Sequence, residues 1–185
     1  SVTRQALRVH PDTVCAAVTQ IEVDVARPRA GSLILTYAVT GKIGELAMPP
    51  IADPVRTDEL WQHTCFEAFV RASSGSEYYE FNFSPSTQWA VYRFTDYRNG
   101  MCVAAEVSTP PIDVRLDAQS FTLQAALALD HLSLPRESSW RLGLSAVIEE
   151  TNGNKTYWAL AHPPGKPDFH HKDAFAYELS PAVHP

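Results

Sequence analysis

Apolar and polar side chains alternate in short runs along most of the chain, and Pro, Gly, Asn or Asp closes nearly every run. A period of two puts successive side chains on opposite faces of a strand. The pattern predicts strands over residues 18–25, 33–39, 64–72, 78–83, 89–94, 103–107, 112–116, 121–129, 141–149, 156–161 and 174–179. Asn152-Gly153-Asn154 reads as a hairpin turn, because Asn and Gly accept positive φ. No helical period persists beyond two turns, although 10–19 and 84–89 have room for a short helix. Many strands without intervening helices predict an all-β fold, a two-sheet antiparallel β-sandwich. No repeat, linker or low-complexity tract divides residues 1–185, so a single domain is expected.

Alternation also sorts the faces. If the aromatic and aliphatic positions point into the core, the opposite face of one sheet carries Glu67, Glu80, Asn82, Arg93, Arg141, Ser145 and Glu149. Cys65, Phe69, Trp89 and Val91 are expected on that same face. Charged groups among such neighbours read either as a solvated face with weak cross-strand ion pairs or as a polar floor that hydrogen-bonds a ligand. Trp140 stands on an apolar strand face and reads as core.

Composition changes this picture little. The 185 residues are 45% hydrophobic and 19% charged, ordinary for a globular protein. A net charge of −6 argues against a nucleic-acid partner, which calls for a basic footprint. No apolar run approaches the roughly 20 residues that span a bilayer, and the first residues show no signal-peptide core, so no membrane contact and a cytoplasmic location are expected. Cys15, Cys65 and Cys102 form no CxxC pair and read as reduced, largely buried thiols.

Two loops hold the remaining candidate chemistry. Trp61 closes a loop rich in proline and acidic residues, just before the strand bearing Glu67. A tryptophan beside carboxylates and amides suits a sugar, whose C–H face stacks on the ring while polar groups take the hydroxyls; the alternative is a core plug at the sandwich edge. Residues 162–171 contain three prolines and a glycine, and this stiff loop presents Lys166, Asp168, Phe169 and His170. His162, Asp168, His170 and His171 are ligand types for a divalent metal, in a spacing that fits no common zinc pattern.

Three blocks carry a family resemblance: Leu60-Trp61-Gln62-His63-Thr64-Cys65-Phe66-Glu67-Ala68-Phe69, Tyr79-Glu80-Phe81-Asn82-Phe83-Ser84-Pro85-Ser86 with Trp89-Ala90-Val91-Tyr92-Arg93-Phe94, and the 162–171 loop. Together they resemble the DOMON-like bacterial proteins, a group similar to family 9 carbohydrate-binding modules and to DOMON domains that bind sugar or haem. The resemblance runs from about Leu60 to about Phe175 and implies a β-sandwich with one curved sheet. Family 9 modules hold a sugar between two tryptophans among charged and amide side chains. Trp61 with Glu67 six residues later resembles the first half of that arrangement, and Trp158 or Phe169 would supply the second ring.

The resulting expectation is a non-catalytic ligand-binding domain without a resident cofactor. Its partner is a small polar molecule, a sugar above all, held by Trp61, Glu67, Glu80, Asn82, Arg93, Trp158, Lys166, Asp168, Phe169 and His170. Two alternatives stay open. Haem would draw axial ligands from Met48 or Met101 and His162, His170 or His171. A glycoside hydrolase would use Glu67 and Glu80, held about 5–5.5 Å or 6.5–9.5 Å apart. A flat strand edge would also support a homodimer.

Overall fold

In the computed structural model, which describes residues 1–183, the chain forms β1 (Val2–Val9), β2 (Val18–Ala26), β3 (Ser32–Gly41), β4 (Cys65–Ala72), β5 (Tyr78–Phe83), β6 (Trp89–Phe94), β7 (Cys102–Val103), β8 (Ile112–Leu116), β9 (Ser120–Ala128), β10 (Trp140–Glu149), β11 (Lys155–Ala159) and β12 (Tyr177–Leu179). Among the described residues there is no α-helix, only single 3-10 turns at Ile43–Glu45, Leu60–Gln62 and Lys172–Ala174. Among these residues no helix is therefore long and apolar enough to cross a membrane. Both short helices considered at 10–19 and 84–89 are absent, replaced by turns.

The strands make two antiparallel sheets. The first runs β8-β9-β3-β2-β1, the second β7-β6-β5-β4-β10-β11, with β12 beside the start of β10. Strand β1 belongs to both, pairing with β2 from Val2 to Leu7 and with β11 at Arg8 and Val9. It escapes a reading by alternation because it lies largely exposed, with only Leu7 buried. Backbone pairing, not a buried stripe, makes it a strand. Of the 103–107 prediction Val103 alone is strand, as the end of β7, and 174–179 contracts to β12 because Lys172–Ala174 closes a 3-10 turn.

Between the sheets lies one apolar core. Val23, Leu35, Tyr37, Phe121 and Leu123 of the first sheet meet Phe66, Phe81, Phe83, Trp140 and Leu144 of the second. Trp140 is core as expected, with the Arg27 guanidinium 3.5 Å above its ring. The sheets then differ in a way that places the site. In the first, burial alternates along β2 and β3, so the outer face meets water. In the second, β4 from Cys65 to Val70, all of β5 and nearly all of β10 are buried on both faces.

Candidate functional site

Two long segments cover the outer face of the second sheet. The first, between β3 and β4, contains Pro49, Pro50 and Pro54. It is tied to the sheet through Ala47 N–H to Glu149 O (2.8 Å), Ala52 N–H to Ser86 O (3.0 Å) and Thr57 N–H to Trp89 O (2.9 Å). It ends in the Leu60–Gln62 turn, which packs on β4 and β5. Glu59, immediately before, has φ +63, a left-handed conformation costing a non-glycine residue roughly 1 kcal/mol. The second segment, 162–176, is held by His10, whose Nε2 lies 2.8 Å from Gly165 O, and by His162, whose Nε2 lies 2.7 Å from Arg8 O.

Register lays out what they cover. Paired residues share a face, so Ser145, Glu67, Asn82 and Ala90 form one row across β10, β4, β5 and β6. The next row is Gly143, Phe69, Glu80 and Tyr92, and beyond it come Arg141, Arg71, Tyr78 and Phe94. The middle of this face is apolar, with Phe69, Tyr78, Tyr92, Phe94 and Phe175 packed together and Phe169 against them. Glu67 is 3% exposed, Glu80 6%, and Asn82 and Ser145 1% each.

The Glu67–Asn82 row is poorly satisfied. Asn82 Nδ2, Asn82 Oδ1 and Ser145 Oγ are buried without a hydrogen-bond partner among the described residues. Burial pushes the Glu67 carboxyl well above the usual range, and the Glu80 charge adds to the effect. Burial likewise pushes Glu80 up to about 7, although the neighbouring Asn82 amide, which lacks hydrogen-bond geometry to it, and the Arg98 charge draw it down. His170 is held neutral down to about 4 by burial and by the Arg98 charge. Its neutral form fits the geometry: Arg98 N–H donates to Tyr78 Oη (3.1 Å), the Tyr78 hydroxyl lies 2.8 Å from His170 Nδ1, and His170 Nε2 is 3.5 Å from Glu80 Oε1.

Of the ten residues expected to form the site, Glu67, Glu80, Asn82, Asp168, Phe169 and His170 come together on or over this face. Trp61 stands beside it, 52% exposed, on the turn that packs on β4 and β5. Asp168 works as an anchor, accepting hydrogen bonds from the Tyr97 hydroxyl and from Arg98 Nη2 (2.8 Å). Burial pushes its carboxyl up, yet these bonds hold it below the usual range. Lys166 lies exposed on the loop.

Arg93 and Trp158 depart from the expectation. Arg93 shares a face with Tyr79, on the core side of the sheet edge, and pairs with Glu106 at 3.6 Å. Trp158 is buried in the core with its Nε1–H on Thr156 Oγ1. Trp89 and Val91 also face the core, while Tyr92 and Phe94 face outward beside Glu80 and Tyr78. The reason is physical: β6 is buried on both sides, so its aromatic residues do not mark the inner face. Tyr78, Tyr92, Tyr97 and Arg98 also stand on or beside this face and were not among the expected residues, whereas Ser145 lies on the polar face where strand phase had put it.

The histidines do not converge on a cation. Among the described residues no group of three or more His, Cys, Asp or Glu side chains is arranged to hold a metal. The cysteines are free; Cys65 is buried, Cys15 is half-buried and Cys102 is exposed, against the expectation of largely buried thiols.

No family model matches the sequence, and no curated protein matches it. Solved structures do. A candidate carbohydrate-binding protein from Bacteroides uniformis superposes with a TM-score of 0.67 at 14% identity, over 93% of this chain and 83% of that one. A family 9 carbohydrate-binding module from Caldicellulosiruptor kristjanssonii in complex with glucose gives 0.56 at 10% identity, over 97% and 83%. The fold is that of a family 9 module. A family 9 module from the same organism in complex with cellotriose gives 0.52 at 11% identity, over 89% and 75%. At these identities the family 9 likeness is one of fold, and the site stands on its own chemistry.

Proposed function

We propose that this chain is a carbohydrate-binding domain that holds a neutral sugar against Trp61 and the Ser145–Glu67–Asn82 row. One observation carries the reading: Asn82 and Ser145 present a donor, an acceptor and a hydroxyl, all buried and none paired. A buried polar group without a partner costs about 1–3 kcal/mol. Vicinal sugar hydroxyls satisfy all three atoms, because each hydroxyl both donates and accepts. Glu67, whose carboxyl burial pushes well above the usual range, stands in the same row. An exposed tryptophan gives a flat face for the C–H side of a pyranose. Entry requires the Leu60–Gln62 turn or the 162–176 segment to part. The likeness to modules solved with glucose and cellotriose supports the same class of ligand.

Titration calorimetry of the full chain with glucose and cellobiose tests the proposal. Saturable binding is expected, weakened about thirtyfold by Trp61→Ala, a loss on the order of 2 kcal/mol. Absence of heat with either sugar, or unchanged affinity in Trp61→Ala, would contradict it.

A further inference from the structure

The far end of the same sheet face carries a second concavity. A groove of about 510 Å³ opens between Gly75–Ser76, the turn at Asp96–Tyr97, and Lys172. Packed rings of Phe69, Tyr78, His170 and Phe175, with centroids 4.9–6.3 Å apart, separate it from the Glu67–Asn82 row.

Its charges differ in kind from those of the first site. Arg71 on β4 stands directly opposite Arg141 on β10, a placement that destabilises a sheet when both charges are unbalanced. The arginine–carboxylate pairs among the described residues involve Arg4, Arg93, Arg98, Arg115 and Arg136, and neither Arg71 nor Arg141. Glu178 stands in register on the far side of Arg141, away from Arg71. Arg71 uses Nη1 on the carbonyls of Ala72 and Ser73, which leaves the rest of its fork for a ligand. Burial and the Arg141 charge lower its proton affinity. Lys172 lines the groove with its ammonium exposed. His171 Nδ1 accepts from Asp173 N–H (3.1 Å), so its ring proton sits on Nε2 as a further donor.

Two features argue for more than a bare anion. Asp96 also lines the groove, with Oδ1 taken by Tyr97 N–H and its other oxygen open to a hydroxyl. Tyr97, 49% exposed, places an aromatic ring beside the charges. We propose that this groove binds a carboxylated sugar: the carboxylate on Arg71 and Lys172, a hydroxyl on Asp96, and the C–H face on Tyr97. A carboxylate fits the guanidinium fork in two parallel hydrogen bonds, as a phosphate does, but brings less negative charge near Asp96. This inference does not rest on the neutral-sugar reading, which draws on Trp61, Ser145, Glu67 and Asn82, whereas this one draws on Arg71, Lys172, Asp96 and Tyr97.

Amide NMR of the full chain, titrated separately with glucuronate, glucose and inorganic phosphate, tests it. Glucuronate is expected to shift Gly75, Ser76, Tyr97 and Lys172, and glucose is not. Its affinity should fall about tenfold in Arg71→Gln and again in Lys172→Gln, and stay within about twofold in Trp61→Ala. Lys172 is exposed, so its variant reports on binding even if Arg71→Gln perturbs the strand. Absence of these shifts, shifts centred on Trp61, equal affinity for phosphate, or undiminished binding in both charge variants would overturn the proposal.

Discussion

At the scale of single residues, the outer face of the second sheet keeps polar groups where an apolar core would be more stable. Replacing an unpaired buried amide by an apolar group of like shape is close to neutral or stabilising. Asn82→Leu is therefore expected to leave the urea midpoint unchanged or higher while removing sugar binding; a loss of 2 kcal/mol or more would show that the amide has partners in the protein. The titrating groups give a second test. Glu80, raised to about 7, favours the folded state fully below its ordinary 4.5, and that stability is lost as pH rises through 7. His170, lowered to about 4, acts oppositely: its contribution is present above 6.5 and lost as pH falls through 4. Glu80→Gln should thus gain on the order of 3 kcal/mol relative to the parent between pH 5 and pH 8, read from denaturant midpoints at each pH. Equal pH dependence in parent and variant would refute the burial of this carboxyl. Glu67, Glu80, Asn82 and Trp61 were legible in the sequence because acids and an amide in strand phase with Phe69 contradict a purely solvated face. Arg93 was misread because Tyr92 and Phe94 beside it are buried outward, not inward.

At the scale of elements, the site exists because two segments lie on a sheet that is already packed on its other side. Gly143 makes one of these contacts close. A Cβ there would stand 3.1 Å from Ala174 O and 3.4 Å from Phe69 Cβ, so an added methyl requires the 172–175 turn to give by a few tenths of an ångström. Gly143→Ala is expected to lift that turn: amide exchange of Ala174 and Phe175 should quicken while the β2–β3 amides keep their protection. Uniform change across both sheets would instead make Gly143 a determinant of the whole fold. The strands of the first sheet were readable because one face meets water and alternation is clean. Those of the second sheet were readable as strands, and β4, β5 and β10 also as to face, whereas β6, buried on both sides, was assigned the wrong way round. The proline-rich segments were recognisable as stiff loops; that they roof the sheet is a long-range fact no local pattern encodes.

At the scale of the whole molecule, β1 is the tie between the sheets, pairing at one end with β2 and at the other with β11. Its side chains contribute little burial, so its role is to close two strand edges that would otherwise template association. Deleting residues 1–9 is expected to cause concentration-dependent aggregation, detectable by light scattering, with the second-sheet core still formed; a monomeric, fully stable truncation would remove that role. Side-chain NMR of the full chain titrated with glucose tests the covered polar row. The Asn82 Nδ2 protons and the Trp61 indole N–H are expected to shift together and saturate with one affinity, while the Trp140 indole N–H, bonded to Pro135 O in the core, stays still. Saturable glucose binding that leaves Asn82 and Trp61 unmoved, or no binding at all, would contradict the proposed site.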